Sequence, residues 1–266
     1  MKPSITAYIL AKNEEPNIGK CLASLEPCGI PVVLLDSGSI DRTKEIAGGF
    51  DFCQIQSFLF TSHTDAWNTI TGRWHTGNEY ALILDADMEI TPELWCEIVQ
   101  ALDGLPQVVL APVMMYVEGR PLVHGSLYPP KAIVFRGGDE YFIASGHCSR
   151  LKPRLGCYYA QNKLIHNDLK PYSAYLLSQV RYGRLLYQRY EQGCVSFKDR
   201  LRATTPLMAF IHPFASLVLR GGILSGRLGI IYALDRAIAV LVQYRVVLAS
   251  KLAQDRKQSP GQSTTS

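Results

Sequence analysis

Two aspartates separated by one residue, Asp85 and Asp87, follow the hydrophobic segment Tyr80–Leu84. On an extended backbone, residues two positions apart point the same way, so both carboxylates could converge past the end of a strand. Ligands bind at that end of the strands in open α/β sheets. Two carboxylates there suit a hard divalent cation, Mg²⁺ or Mn²⁺, that takes further oxygens from water and a diphosphate. The alternative is a solvated acidic turn.

A second acid, Asp36, follows the apolar segment Val32–Leu35. At a strand end its carboxylate can accept hydrogen bonds from a base or a ribose, while Ser37, Gly38 and Ser39 make a tight turn into the next helix. The alternative is an Asx turn with a helix cap, which accounts for Ser39 better than for Asp36.

A third acid, Glu14, lies directly after the first apolar segment, Ile5–Leu10. Its carboxylate could accept hydrogen bonds from ribose hydroxyls. Alternatively, Glu14 and Glu15 favour the start of a helix through its dipole. Each acid alone is ambiguous, but acids at the carboxyl ends of three predicted strands together favour a ligand site.

The elements that must position these acids alternate along the first part of the chain. Up to about Val117, short apolar segments are each followed by a helical pattern, which is typical of βαβ units and a parallel sheet. The strands predicted from these segments are Ile5–Leu10, Val32–Leu35, Phe52–Ile55, Tyr80–Leu84 and Val108–Val113. The sequence therefore predicts an α/β fold.

Three helices are predicted between these strands. The first repeats apolar residues at helical spacing, the second begins at a cap provided by Ser39 and covers Thr43–Ala47, and the third opens at Thr91-Pro92. The buried positions expected in the first and third helices are Ile18, Cys21, Leu22, Leu25, Leu94, Ile98 and Leu102. Residues 118–170 predict loops and short antiparallel strands, among them Ala132–Phe135, closing over the end of the sheet.

Charge divides the chain near Lys170. Residues 1–169 contain 13 basic and 19 acidic side chains, whereas residues 170–266 contain 14 and 4. We predict a domain over 1–169, a basic helical region over 170–252 and a disordered tail over 253–266. Seven cysteines without a CxxC pair indicate reduced thiols rather than disulfides.

The basic region contains two long apolar stretches, Ala203–Leu219 and Leu228–Ala249. Prolines interrupt the first and charged residues the second, so both are poor transmembrane spans and suit helices that lie at an anionic membrane surface. The alternative is an ordinary helical subdomain with a solvated basic face. We do not expect a nucleic-acid partner, because the arginines alternate with long aliphatic runs.

Taken together, the motifs resemble those of family 2 glycosyltransferases, inverting nucleotide-sugar transferases with a GT-A fold. The segments that carry the resemblance are AKNEEPNIGKCLASL, LLDSGSIDRTKEIA and LILDADMEITPEL. The resemblance implies that Glu14 and Asp36 hold the nucleoside, and that Asp85 and Asp87 form the DXD pair binding metal and diphosphate. The residues expected to contact the nucleotide sugar are Ala11, Asn13, Glu14, Asp36, Ser37 and Asp85.

The rest of the chain resembles a branch of that family that builds lipopolysaccharide cores or loads sugars onto lipid carriers. The matching residues are Gly146-His147 and a cluster at 166–171 that contains His166, Asn167 and Asp168. This resemblance implies a lipid-linked or cell-envelope glycan acceptor and a location at the cytoplasmic face of the cell membrane, peripheral or monotopic. We expect no metal ligation by the histidines, because no second ligand lies three or four residues away.

Two positions depart from the family pattern. The family often has an arginine followed by Ser, Thr or Asn in the helix before the DXD strand, and the nearest match in this chain begins at His63-Thr64. In the cluster at 166–171, Asn167 replaces an acid. At this position the chain therefore has no arginine to contact a phosphate, and only Asp168 remains to supply a carboxylate at the cluster.

An inverting transfer needs a base that deprotonates the acceptor hydroxyl. The candidates that follow the DXD strand are Asp139, Glu140 and His147, with Asp168 as a further possibility. A solvated turn at Asp139 and Glu140, and a histidine satisfied in the core at His147, are the alternatives.

Two other functions are consistent with parts of the sequence. A phosphohydrolase also uses a pair of aspartates at a strand end, but normally on the first strand and followed by Gly-Thr. A catalytically silent glycosyltransferase-like membrane module would explain His63 and Asn167, although both DXD aspartates are retained.

Overall fold

The computed structural model describes residues 4–74, 79–139, 141–145, 148–152 and 156–258. The chain forms two compact units, one of residues 1–144 and 148–170, and one of residues 145–147 and 171–266. We refer to them as the α/β unit and the helical unit.

The α/β unit contains thirteen strands in the described part of the chain. They are β1 Ser4–Ala11, β2 Val32–Asp36, β3 Cys53–Ser57, β4 Glu79–Asp85, β5 Met88–Glu89, β6 Val108–Ala111, β7 Val113–Val117, β8 Arg120–Pro121, β9 Lys131–Arg136, β10 Phe142–Ser145, β11 Cys148–Leu151, β12 Cys157–Tyr159 and β13 Leu164–His166. Four helices accompany them: α1 Ile18–Leu25, α2 Thr43–Ala47, α3 His63–Thr69 and α4 Pro92–Ala101.

Seven strands form one mixed sheet in the order β12-β6-β9-β4-β1-β2-β3. The neighbours β4, β1, β2 and β3 run parallel, and β9 is antiparallel to both β4 and β6. A second sheet has the order β5-β13-β7-β8, and β10 pairs with β11. This architecture agrees with the predicted mixed α/β fold class.

The core forms because the central strands are apolar on both faces. Ile9, Leu34 and Leu82 are fully buried in one cluster with α1, whose buried residues are Ile18, Cys21, Leu22 and Leu25. Helix α4 buries Leu94 and Ile98, and the Thr91 hydroxyl caps it by accepting from the Leu94 N–H at 3.2 Å. The faces predicted for these two helices are confirmed.

Two predictions about the strands were wrong. The segment Val108–Val113 is two strands, because Pro112 has no N–H to continue the ladder; β6 stays in the main sheet and β7 joins the second sheet. Strand β9 does not close over the sheet's end but lies within the sheet, between β4 and β6. Its residues Ile133 and Phe135 are fully buried there, which explains why the strand is so apolar.

The helical unit contains four helices in the described residues: α5 Tyr172–Glu191, α6 Phe197–Thr204, α7 Met208–Phe214 and α8 Arg227–Gln258. Helix α7 continues into a π-helical turn over Ala215–Leu219, and a short 3₁₀ turn follows at Gly222–Ser225. Helix α8 includes residues 253–258, which the sequence prediction placed in the tail, because Ala253 and Gln254 are good helix formers. The other residues of that tail lie outside the described ranges.

The buried face of α5 differs from the apolar stripe that its leucines suggest. Gln179, Gly183 and Leu186 are buried, whereas Leu177 is 70% exposed. A Cβ at Gly183 would lie only 2.9 Å from the Val246 Cβ. The missing side chain therefore allows α5 and α8 to pack closely, and this contact decides which face is buried.

Within the described residues, no helix combines the length and apolar character that crossing a membrane requires. Six cysteines are free thiols: Cys21, Cys28, Cys53, Cys96, Cys157 and Cys194.

Candidate nucleotide and metal site

Three parallel strands bring the predicted site residues to one edge of the sheet. In the register of β1 with β2, Ala11 is opposite Asp36, and in the register of β1 with β4, Leu10 is opposite Asp85. Glu14 follows β1 at the same edge. The acids that end or follow these strands therefore lie side by side, because parallel strands present their carboxyl ends together.

Asp36 is buried and organises the turn that follows it. Its carboxylate accepts hydrogen bonds from the backbone N–H of Gly38 at 3.1 Å and of Ser39 at 3.1 Å. Gly38 has φ 84°, a conformation that favours glycine. The Asx turn considered as an alternative is therefore present at Asp36. Its presence does not prevent the carboxylate from accepting a further hydrogen bond from a ligand.

The predicted capping role of Ser39 was wrong. Its hydroxyl accepts from the backbone N–H of Asn13 at 2.9 Å, and the Asn13 side-chain oxygen accepts from the Ile40 N–H at 2.9 Å. The Ser37 N–H also donates to the Ala11 carbonyl at 2.9 Å. Ser39 lies too far from α2 to cap it, because that helix starts four residues later at Thr43. Its hydroxyl instead joins the loops after β1 and β2.

Glu14 is half-buried and held from two sides. Lys170 Nζ lies 2.6 Å from Glu14 Oε1, and Asn17 Nδ2 donates to Glu14 Oε2 at 2.9 Å. Burial raises the pKa of Glu14, and the opposing effect of Lys170 is smaller. For Lys170, burial acts to lower the pKa, but the Glu14 carboxylate outweighs it and the pKa is raised.

Asn17 connects the loop after β1 to the cluster at 166–170. It is buried, its Nδ2 also donates to Asp168 Oδ1 at 2.9 Å, and its Oδ1 accepts from the Leu169 N–H at 2.8 Å. The polar cluster singled out in the sequence is thereby fixed beside Glu14. Local sequence signals do not indicate this role of Asn17, since its partner Asp168 is 151 residues away.

Replacing Asn17 by alanine should lower the free energy of unfolding by about 1–3 kcal/mol, because three hydrogen bonds of a buried side chain are lost. Asn17→Asp should destabilise the protein more, because a carboxylate cannot donate and would face Glu14 and Asp168. Urea unfolding of both variants measures the effect, with Gln161→Ala, at an exposed side chain, as the control. An Asn17→Asp protein as stable as the wild type would refute this role.

Asp85 and Asp87 have different partners. Strand β4 ends at Asp85, and residues 86–87 form a turn, so the extended backbone assumed for the pair does not continue to Asp87. Asp85 forms an ion pair with Lys131 at the start of β9. Burial acts to raise the pKa of Asp85, but the Lys131 ammonium outweighs it and the pKa is lowered.

Asp87 lies next to His166, with 3.5 Å between Asp87 Oδ2 and His166 Nε2. The pairing of β13 with β5 brings them together, since His166 is opposite Met88 in that register. The Asn167 N–H donates to the Asp87 carbonyl at 2.9 Å, and the Tyr128 ring lies 5.3 Å from the His166 ring. The expectation of no metal ligation by the histidines rested on sequence spacing alone, whereas the neighbour of Asp87 is brought by strand pairing.

This pair has free coordinating atoms. Asp87 Oδ1 and His166 Nδ1 are buried and have no hydrogen-bond partner among the described residues. Burial raises the pKa of Asp87, and His166 opposes that effect only in part. The carboxylate oxygen is a ligand that both Mg²⁺ and Mn²⁺ prefer, and Mn²⁺ accepts an imidazole nitrogen more readily than Mg²⁺ does; water and diphosphate oxygens would supply the other positions. In the described ranges, no three His, Cys, Asp or Glu side chains converge on one point.

Of the three candidate bases, only Asp139 lies among the described residues. Glu140 and His147 lie outside the described residues, and Asp139 is exposed in the turn after β9. Asp168 accepts hydrogen bonds from Asn17 and from the Lys170 N–H at 3.1 Å, so its carboxylate already stabilises the loop.

His63, which stands where the family often has an arginine, begins α3. Its ring packs against Phe60 and Trp67, with ring centroids 5.0 and 6.1 Å away.

The family model described as glycosyl transferase family 2 matches residues 6–153. The lipopolysaccharide core biosynthesis glycosyltransferase LpsC of Rhizobium meliloti (strain 1021) is 26% identical in an alignment of 275 positions that covers 95% of this chain and 93% of that protein.

Two solved structures are among the similar chains. S. aureus TarS 1-349 is 14% identical over 94% of this chain and 92% of that chain, with a TM-score of 0.47. Glucosyl-3-phosphoglycerate synthase from Mycobacterium tuberculosis, in complex with Mn²⁺, UDP and glucosyl-3-phosphoglycerate, is 21% identical with a TM-score of 0.33. That match covers 42% of this chain and 44% of the synthase, less than half of its length. Because the family match spans more than half of its residues, the chain belongs to glycosyl transferase family 2 and is a glycosyltransferase.

Proposed function

We propose that this enzyme transfers a sugar from a nucleotide-diphosphate donor to a lipid-linked or cell-envelope glycan acceptor, with inversion and with a divalent cation. The observation that carries the proposal is the convergence of Glu14, Asp36, Asp85 and the Asp87–His166 pair at one edge of the sheet. The resemblance of the sequence to nucleotide-sugar transferases and the name of LpsC support the donor and acceptor classes.

The nucleoside would bind at the loops after β1 and β2. We propose that five of the six residues that the sequence predicted to contact the nucleotide sugar bind there: Ala11, Asn13, Glu14, Asp36 and Ser37. The hydrogen bonds that join these two loops keep their backbone in place before a ligand arrives, which reduces the ordering cost of binding.

Asp87 and His166 would hold the cation together with the diphosphate, and Asp85 would lie beside them. A bound Mg²⁺ or Mn²⁺ would neutralise the charge that develops on the diphosphate leaving group. Lys131 neutralises Asp85 and so lowers the negative charge that a diphosphate meets at this edge. His166 and Lys131 thus extend the set of residues that we predict from the sequence.

Inversion follows if the acceptor oxygen attacks the anomeric carbon directly. A base removes the proton of the acceptor hydroxyl as the new C–O bond forms and the bond to the diphosphate breaks. We propose that the base is Asp139, Glu140 or His147. Asp168 is the weaker alternative, because Asn17 and the Lys170 N–H already bind its carboxylate.

Metal-dependent nucleotide release tests the activity. A panel of nucleotide sugars is incubated with the enzyme and Mg²⁺ or Mn²⁺, and the released nucleoside diphosphate is measured. Release from at least one donor, abolished by EDTA, is the expected result. No release with any donor would favour the silent module, and release of inorganic phosphate from simple phosphomonoesters would favour the phosphohydrolase.

The helical unit has an exposed apolar surface on α7 and the turns that follow it. Its members are Leu207, Phe210, Ile211, Phe214, Val218, Leu219, Ile223 and Leu224. The first five recur at helical spacing, Phe210 is 70% exposed and Leu224 is 76% exposed. Arg220 and Arg227 are exposed beside them. Large exposed apolar patches mark interaction sites, and flanking arginines favour an anionic membrane. We propose that this surface holds the enzyme at the cytoplasmic face of the cell membrane.

The variant Phe210→Ser/Phe214→Ser should reduce binding to anionic liposomes roughly 100-fold or more, because burying each phenylalanine stabilises the bound state by about 1.5–3 kcal/mol. Flotation at low and high salt measures the bound fraction. Phe197→Ser, at an 84% exposed position outside this surface, is the matched control. Absence of binding at low salt, or equal binding by the double variant, would refute the proposal.

A further inference from the structure

A polar cavity of about 160 Å³ lies within the helical unit, among helices α5, α6, α7 and α8. Its basic residues come from three helices: Arg202 from α6, His212 from α7 and Arg236 from α8. Gln179, Tyr182 and Gln243 supply further polar groups. The transfer site proposed above uses none of these residues, since all of its members belong to the α/β unit.

Each arginine is only partly satisfied by the protein. Arg202 Nη1 lies 3.5 Å from Asp199 Oδ1, and Arg236 Nη2 donates to the Tyr175 hydroxyl at 3.1 Å. The Arg236 guanidinium also lies 5.2 Å from the centre of the Tyr232 ring. However, the Nε groups of both arginines are buried without a hydrogen-bond partner among the described residues.

Two guanidinium groups that contribute to the lining of one cavity, each only partly satisfied by the protein, favour an anionic acceptor there. A buried donor without a partner costs about 1–3 kcal/mol, and more when the group is charged. Guanidinium groups bind phosphate oxygens through parallel hydrogen bonds, with a geometry that a rigid fork of N–H donors matches. The cavity has room for such a group, because its volume of about 160 Å³ is several times the roughly 30 Å³ that one water occupies in the liquid.

The potential in the cavity also favours an anion. His212 is flanked by Lys198 and Arg202 from α6 and by Arg236 from α8. Burial and these three cations lower the pKa of His212 to about 4. The Gln179–Gln243 hydrogen bond, 2.9 Å long, adds no charge to the lining. A phosphate would offset the repulsion among the cations and let His212 take up a proton more readily.

We propose that this cavity binds a phosphate group through Arg202 and Arg236. The phosphate could be free in solution or belong to a lipid headgroup. The lipid source has a structural argument, because α7 contributes both His212 to the cavity and Phe210 and Ile211 to the apolar surface. The site is independent of the proposed transfer reaction.

Thermal unfolding of the full chain in inorganic phosphate, against sodium chloride at equal ionic strength, tests the site. We expect phosphate to raise the melting temperature of the wild type. Arg202→Gln and Arg236→Gln should each lose most of this shift and bind phosphate at least tenfold more weakly in calorimetry. Arg245→Gln, at an exposed arginine of α8, is the matched control and should keep the shift, as should Asp87→Ala. No shift in the wild type, or full shifts in both arginine variants, would overturn the proposal.

A second measurement does not need the arginine variants to fold. NMR titration of His212 in the wild type, assigned with His212→Asn, should show that inorganic phosphate raises its pKa. An unchanged titration would overturn the site.

Vesicles then separate the two sources of phosphate. A preference for phosphatidic acid over phosphatidylglycerol that Arg236→Gln abolishes would support the site and assign it to a lipid headgroup. If Arg236→Gln binds vesicles like the wild type but loses the rise in melting temperature in inorganic phosphate, the site is supported and is assigned to a soluble phosphate. If Arg236→Gln changes neither response, the proposal is wrong.

Discussion

Replacing Asp87 by alanine should reduce metal-dependent nucleotide release by about 1000-fold or more, equivalent to about 4 kcal/mol of transition-state stabilisation. Asp87 supplies the only carboxylate oxygen of the Asp85–Asp87 pair that is buried and unpartnered among the described residues, and Asp85 is already paired with Lys131. Loss of Asp87 should therefore remove most of the cation affinity as well as the rate. Nucleotide release and Mn²⁺ binding measured by calorimetry with UDP present report the two effects separately.

The same substitution should not destabilise the apo protein. Burial raises the pKa of Asp87, so its ionised form opposes folding as pH rises above the ordinary range of an aspartate. At neutral pH the free energy of unfolding of Asp87→Ala should equal or exceed that of the wild type. Asp103→Ala, an exposed acid after α4, is the control and should keep full activity. Release at the wild-type rate by Asp87→Ala would refute the proposed metal site.

Replacing His166 by alanine should raise the metal concentration for half-maximal activity by about 100-fold or more. Loss of residues that merely orient a ligand costs about 10–100-fold in metal affinity, and loss of a direct ligand should cost at least as much. His166 is a direct candidate because it lies 3.5 Å from Asp87 and its Nδ1 has no partner among the described residues. Mn²⁺ binding followed by electron paramagnetic resonance gives a readout that does not depend on turnover.

The result also distinguishes two roles for His166. If it only positions Asp87, the His166→Ala variant should bind Mn²⁺ with nearly wild-type affinity and show a reduced rate at saturating metal. If it is a ligand, saturating metal should restore much of the rate. His124→Ala, at an exposed histidine of the same unit, is the matched control. Wild-type Mn²⁺ affinity in His166→Ala would contradict a ligand role.

Much of the α/β unit could be predicted because its signals are local. Strands β1, β2 and β4 are short apolar segments that end where the predicted acids occur, and Thr91 caps α4 as its position before Pro92 indicates. The resemblance to family 2 glycosyltransferases rests on the same local segments, and the family match confirms it. The local signal gave a wrong prediction at Ser39. Serine is a common residue at helix N-caps, but the Ser39 hydroxyl accepts a hydrogen bond from the backbone of a different loop.

The sequence alone determined which acids end which strands, and that the acidic and basic charges separate near Lys170. Only the tertiary structure decided their partners: Lys131 for Asp85, His166 for Asp87 and Lys170 for Glu14. The physical reason is that hydrophobic periodicity is set by neighbouring residues, whereas these contacts depend on strand order and register. A histidine 79 positions away from Asp87 becomes its neighbour because β13 pairs with β5. The same holds in the helical unit, where Arg202 and Arg236 line one cavity because four helices pack around it.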